Sequence, residues 1–160
     1  MQKVNVICVG RLKERFYIDA AAEYVKRLQA FCTLSVVELA EQRLGDNPTD
    51  AQIERALALE AEEIRAKLPK GGAVIAMCVE GKAMPSEALC ETMQRFAVSG
   101  KSQVTFLIGG SFGLHPSVKA LADVRLSMSA MTFPHHMARI MLLEQIYRAY
   151  QIGLGTRYHK

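Results

Sequence analysis

Two hydrophobic periods alternate along the whole chain, and few folds accommodate that. The runs Val4 to Gly10, Leu34 to Leu39, Ala73 to Val79, Gln103 to Ile108 and Val124 to Met128 read as strands, most of them apolar along their length. Between them the period lengthens. Glu14 to Ala30 reads as a helix, with Tyr17, Ala20, Ala21, Tyr24, Val25 and Leu28 at helical spacing. After a turn at Gly45 to Pro48, Thr49 and Gln52 form a capping-box pattern that opens a helix to about Leu68, and Pro69, Gly71 and Gly72 stop it. Pro85 to Val98, Pro116 to Ala122 and Pro134 to Gly153 complete the helices. Buried strands alternating with helices predict an α/β fold, a mostly parallel sheet with helices on both faces. The chain of 160 residues shows no repeat, low-complexity tract or linker, so residues 1–160 are expected to form a single domain. Such a domain buries enough surface to need no disulfide or metal.

Composition removes other classes. Hydrophobic residues at 50% and charged residues at 22% exclude a disordered tail protein. No apolar run approaches the roughly 20 residues that cross a bilayer. The short apolar start is followed at once by Arg11, Lys13, Glu14 and Arg15 with no small-residue cleavage site, which argues against a secretory signal. The balance of 20 Lys plus Arg against 16 Asp plus Glu permits an anionic partner such as RNA without demanding one. Cys8, Cys32, Cys78 and Cys90 form no C-x-x-C pair, and no His stands at zinc-ligand spacing from them. They are expected to be reduced thiols of a cytoplasmic protein without a metal.

Ligands of parallel sheets sit beyond the carboxyl ends of the strands, which selects the loops after Val79, Ile108 and Met128. Gly109-Gly110-Ser111-Phe112-Gly113 follows a strand directly and offers close backbone approach to a ligand; a tight strand-to-helix turn accounts for it equally well. It matches neither G-x-G-x-x-G nor G-x-x-x-x-G-K-[ST], which disfavours a phosphate cradle. In the stretch Ser127 to His135, Thr132 is expected to cap the last helix, with Pro134 in its first turn. The same loop sets backbone N–H and C=O groups beside Met128, Met131 and Phe133, a lining that suits a flat neutral heterocycle such as adenine.

On the last helix, at about 100° per residue, Glu144, Arg148 and Gln151 share one face and His135 and Arg139 fall nearly opposite. Met137, Ile140, Met141, Leu142, Leu143 and Ile146 lie between. A surface helix shows one polar stripe; two stripes predict burial against the sheet on one side and a partner subunit on the other. Glu144 and Arg148 form either a simple i,i+4 pair or a substrate-orienting one. The ending Arg157-Tyr158-His159-Lys160 carries an aromatic ring, an imidazole and cations, able to stack on a base, meet phosphate and move a proton. A frayed end is the alternative. His115 and His136 read as surface or capping residues, and the adjacent His135 and His136 are expected to face different ways.

Four stretches together resemble one family: Phe106-Leu107-Ile108-Gly109-Gly110, Leu126 to His135, Leu143-Glu144-Gln145-Ile146-Tyr147-Arg148-Ala149, and Tyr158-His159-Lys160. The family is the SPOUT methyltransferases, in particular their smallest type, the ribosomal RNA large subunit methyltransferases H. The resemblance runs from Val9-Gly10-Arg11-Leu12-Lys13-Glu14 to the last residue. It implies a trefoil knot in the C-terminal part, against the usual rule of unknotted chains. It implies S-adenosylmethionine as methyl donor, held by Met77, Gly109, Met128, Ser129, Ala130, Met131, Thr132 and Phe133. It implies a homodimer that methylates N3 of a pseudouridine of 23S rRNA in the assembled ribosome, with no membrane partner. Met77 stands where leucine is usual and His136 where glutamine is common; methionine keeps the lining apolar.

On that resemblance, His159 becomes the candidate base for the N3 proton and Tyr158 the residue that stacks on or orients the target base. Arg148 would stabilise the developing anion, with Glu144 holding Arg148. Two competing readings are ribose 2′-O methylation, the commoner SPOUT chemistry, and a non-catalytic RNA-binding module, which predicts a larger basic stripe and no cofactor pocket.

Overall fold

The computed structural model describes all 160 residues. The chain alternates strictly: β1 (Lys3–Val9), α1 (Arg15–Leu28), β2 (Thr33–Leu39), α2 (Asp50–Lys67), β3 (Ala73–Ala83), α3 (Ser86–Val98), β4 (Gln103–Ile108), α4 (Pro116–Lys119), β5 (Val124–Ser127) and α5 (His135–Gly153). The five strands form one all-parallel sheet in the order β2-β1-β4-β3-β5. Every strand and helix expected from the hydrophobic period is present. No helix is long and apolar enough to cross a membrane.

The period of two along each strand divides the core into two layers. Val4, Val6 and Cys8 of β1 pack with Phe106, Ile75, Leu28, Met93, Leu142 and Ile146, so α1, α3 and α5 cover one face. Ile7 and Val9 point the other way and pack with Leu107, Ala76, Ile64 and Val118, beneath α2 and α4. The Thr49–Gln52 capping box forms with both bonds, at 3.2 and 2.8 Å. Burial of Cys8 and Cys32 pushes both thiols up to about 11, as expected of inert core thiols; Cys78 is only half-buried.

Two local features differ from the sequence reading. Strand β3 does not end at Val79. It leaves β5 after Met77, loops out through Cys78 to Gly81, and rejoins β5 at Lys82 and Ala83. Gly81 permits the return, because a Cβ there would lie 2.8 Å from the backbone carbons of Arg125 and Leu126. Thr132 does not cap α5. The helix starts later, behind Pro134, and has no side-chain cap. Thr132 is exposed in the loop instead.

Candidate active site

The three selected loops meet. The outward loop of β3, the glycine turn after β4 and the stretch after β5 enclose a cavity of about 340 Å³ at the carboxyl ends of the strands. Its lining includes Met77, Gly109, Met128, Ser129, Met131, Thr132 and Phe133. Ala130 alone of the expected residues stays outside the lining. Val79, Phe112 and Met131 stand around it well exposed, apolar side chains that a flat ligand would cover.

Gly109 earns its place differently from expectation. A Cβ there would collide with the backbone of Gly113, not with space left for a ligand. The turn closes on itself, with Gly113 N–H donating to the Gly110 carbonyl at 3.1 Å. Glu41 braces it from outside by accepting from Ser111 N–H at 2.8 Å. In the loop after β5, Ser129 Oγ accepts from Met131 N–H at 3.0 Å, and Ser127 Oγ donates to the Ser129 carbonyl at 3.1 Å. Glu80, brought in by the β3 loop, pairs with Lys119, which holds its carboxyl below the usual range. Sequence reading missed Val79 and Glu80 as wall residues, since the outward loop of β3 has only Gly81 as its signal, and it selected the turn that carries Phe112 without giving that ring a role.

A second cavity of about 550 Å³ adjoins the first and shares Met77, Leu126, Ser127 and Met128 with it. Its other walls include Tyr24 of α1, Met84 and Ser86 at the start of α3, and Met141, Glu144 and Gln145 of α5.

The tail docks beside this second cavity, bonded to its wall residue Glu144, and is not frayed. Glu144 Oε1 accepts from Arg148 Nη2 at 2.6 Å, from Arg148 Nε at 2.9 Å and from the Tyr158 hydroxyl at 3.1 Å. Arg148 lies over the Tyr158 ring, 4.8 Å from its centre, and that ring meets Tyr147 edge-on at 4.9 Å. Partial burial, then the Glu144 bond, pushes the Tyr158 phenol up to about 12, so it stays a donor at neutral pH. His159 Nδ1 accepts from Arg148 Nη1 at 3.1 Å, and Nε2 donates to Glu87 at 2.7 Å. An arginine only donates and a carboxylate only accepts, so these partners fix the ring's hydrogen on Nε2. All four residues expected to do chemistry thus share one network, beside the first cavity and not in it.

The opposite stripe of α5 is spent inside the protomer. Arg139 is 2% exposed, donating to Glu38 at 2.6 Å and to the Gly10 carbonyl at 2.7 Å. His135 and His136 do not face apart. Their rings sit 4.1 Å from each other, and His136 meets Tyr17 edge-on, half-buried and not at the surface. Burial, with His135 and Arg139 nearby, lowers the basicity of His136. His115 does cap α4, accepting from Ser117 N–H at 3.1 Å. No group of three or more His, Cys, Asp or Glu side chains is placed to hold a metal ion.

A family profile described as "Predicted SPOUT methyltransferase" matches residues 2–159. The chain belongs to that family. Among its relatives is a ribosomal RNA large subunit methyltransferase H from Leuconostoc mesenteroides, 42% identical over 98% of this chain and 99% of that protein. One of the same name from Streptococcus pyogenes is 43% identical over 99% of each. Two solved structures share the fold at low identity. A "probable methyltransferase" from Bordetella pertussis aligns with a TM-score of 0.57 at 15% identity, over 93% of this chain and 96% of that one. A "probable methylase family protein" from Haemophilus influenzae aligns at 0.53 and 13%, over 98% and 70%. The α/β architecture read from the sequence is therefore that of SPOUT methyltransferases. The residues of the first cavity fit the donor such an enzyme uses: an apolar slot with exposed methionine and phenylalanine at its rim, backbone polar groups in its loops, and no phosphate cradle.

Proposed function

We propose that residues 1–160 act as one S-adenosylmethionine-dependent methyltransferase domain, knotted at its C-terminal part, that methylates N3 of a pseudouridine in 23S rRNA of the assembled ribosome. The observation that carries this reading is the pair of adjoining cavities with a common wall, one lined by the strand-end loops and the other edged by the tail network. The full-length relatives at 42% identity, named as ribosomal RNA large subunit methyltransferases H, supply the substrate class.

The bound donor supplies a methyl group on a sulfonium, already a good leaving group. Met77, Gly109, Met128 and Met131 to Phe133 hold it, with Ser129 pinning the loop that Ala130 belongs to. The chain's task is alignment and the handling of one proton. A uracil-type N3–H is weakly acidic. His159 takes the proton on Nδ1, the lone pair that Arg148 occupies at rest. Arg148 must therefore leave His159 as the base enters, and it then faces the anion developing on the ring. Glu144 keeps Arg148 aimed through its two bonds, and Tyr158 orients the base.

The enzyme works as a homodimer in the cytoplasm. The Arg139 stripe does not carry this, since Arg139 is buried and bound to Glu38 and Gly10 within the protomer. What argues for it is the face where Tyr24, Phe31, Tyr147 and Tyr150 gather, half-exposed, along α1 and α5. Calorimetric titration of S-adenosylmethionine, followed by methyl transfer to whole ribosomes and to naked rRNA, tests the reading. Saturable donor binding and transfer to position N3 of ribosomes are expected. Transfer to a ribose hydroxyl, or no donor binding, would overturn it. Sedimentation should show a dimer, and a stable active monomer would refute the assembly.

A further inference from the structure

Gln145 lines the second cavity, and its amide is held in one orientation. The Ser86 hydroxyl donates to Oε1 at 2.6 Å, and Nε2 donates to Glu144 Oε2 at 2.8 Å. Glu144 accepts only, so the oxygen and nitrogen of the amide cannot exchange places. A primary amide has two acceptor lone pairs and two N–H groups. Ser86 uses one lone pair and Glu144 one N–H. One acceptor lone pair and one N–H remain on an amide that lines a cavity whose other walls include Tyr24, Met84, Leu126, Met128 and Met141.

That pair complements a ring N–H flanked by a carbonyl. A uracil-type base offers such an edge at N3, but a nitrogen that is to be methylated needs its in-plane direction clear for the donor. Pseudouridine offers a second one. Its glycosidic bond is to carbon, so the ring keeps N1–H beside the O2 carbonyl. Uridine in the same position presents a C–H there. Resting on the function proposed above, we infer that Gln145 is the specificity-determining residue that distinguishes pseudouridine from uridine. Oε1 accepts from N1–H and Nε2 donates to O2. The N3 and O4 edge then stays free for the wall shared with the donor cavity. Ser86 is a positioning residue, and Glu144 acquires a second duty besides aiming Arg148.

The test uses the full-length enzyme on two kinds of ribosome, one with pseudouridine at the target and one with uridine, prepared from cells lacking the pseudouridine synthase for that site. Wild type should prefer pseudouridine. Gln145→Leu keeps the bulk and removes both bonds. Its kcat/KM on pseudouridine ribosomes should fall roughly 10- to 100-fold, the range for losing a buried hydrogen-bonded pair. The fall on uridine ribosomes should be much smaller, so the ratio collapses towards one. Donor affinity by calorimetry, unchanged, shows that the variant is folded. Ser86→Ala only frees the amide to turn, and should narrow the ratio by a smaller factor; it decides the matter should Gln145→Leu not fold. A folded Gln145→Leu, or in its absence Ser86→Ala, that keeps the wild-type ratio overturns the inference and leaves the function standing. Wild type that methylates both ribosomes equally well does the same. Wild type that methylates neither overturns the function and this inference with it.

Discussion

Helix α5 carries two arginine–glutamate pairs nine residues apart, and they have opposite characters. Arg139 is 2% exposed and reaches Glu38, 101 residues away, and the Gly10 carbonyl at the end of β1. It fastens the helix to the sheet. Arg148 is 25% exposed and pairs with Glu144 one turn away, and the same carboxylate also serves the tail. Breaking the first pair leaves a charge stranded indoors, whereas breaking the second leaves a charge that water can reach. The depth of a pair, and not its length or its residue types, separates architecture from chemistry here.

The largest effect expected is at the Arg148 end. Deleting Tyr158 to Lys160 should lower methyl transfer by about 10²- to 10⁴-fold, the usual scale of general acid–base catalysis, while donor affinity and assembly stay intact. A single-turnover assay on ribosomes beside calorimetry reads both; a normal rate would remove the tail from the mechanism. At the other end, Glu38→Ala should destabilise the fold by about 3 kcal/mol in urea unfolding. That is the low end for a broken buried pair, because Glu38 is itself 38% exposed and water can partly replace it. Glu144→Ala should cost less, about 1–2 kcal/mol in the same experiment, because the Arg148 it strands is 25% exposed, yet lose most activity. Equal stability losses for the two would erase the contrast.

The Glu38 pair also sets a pH dependence. Burial raises the Glu38 carboxyl, but the Leu12 N–H bond at 3.0 Å and Arg139 outweigh it, and the group lies below its ordinary value. A carboxyl depressed in the folded state stabilises above its unfolded pKa, about 4.3, and loses that contribution as pH falls through the folded value. The stability gap between wild type and Glu38→Gln should therefore be full at neutral pH and narrow as the pH drops below about 4. A gap independent of pH would mean that Glu38 acts by packing alone. The smallest effect is remote from both ends. Thr49→Ala, which removes the capping box of α2, should cost about 1 kcal/mol and leave kcat/KM unchanged.

The sheet, its helices and most of the lining of the first cavity were legible because each rests on local pattern. An apolar run such as Phe106 to Ile108 is a strand whatever surrounds it, and the ends of parallel strands are where ligands go. What the sequence did not disclose depends on distant partners. Which stripe of α5 meets the sheet was not legible, because the partners of Arg139, Glu38 and Gly10, lie more than a hundred residues upstream. Glu41, which braces the Gly110–Ser111 turn, and Ser86, which orients Gln145, have no local signature at all. Thr132 had the right residue type for a cap, but the helix begins after Pro134 and leaves it two residues short.

The interior place of β1 in the sheet, between β2 and β4, bears on how the chain comes to be folded. Asn5 lies beside Thr105, a hundred residues later, and β2 alone supplies the other edge of β1. At about 5–20 residues per second, roughly 5–20 s of synthesis separate the two strands. During that interval β1 has one open edge, and the inner face of α1 waits for α5. Pairing across such separations is slow in any case. The nascent chain therefore needs its apolar strands shielded until the last helix has cleared the ribosome.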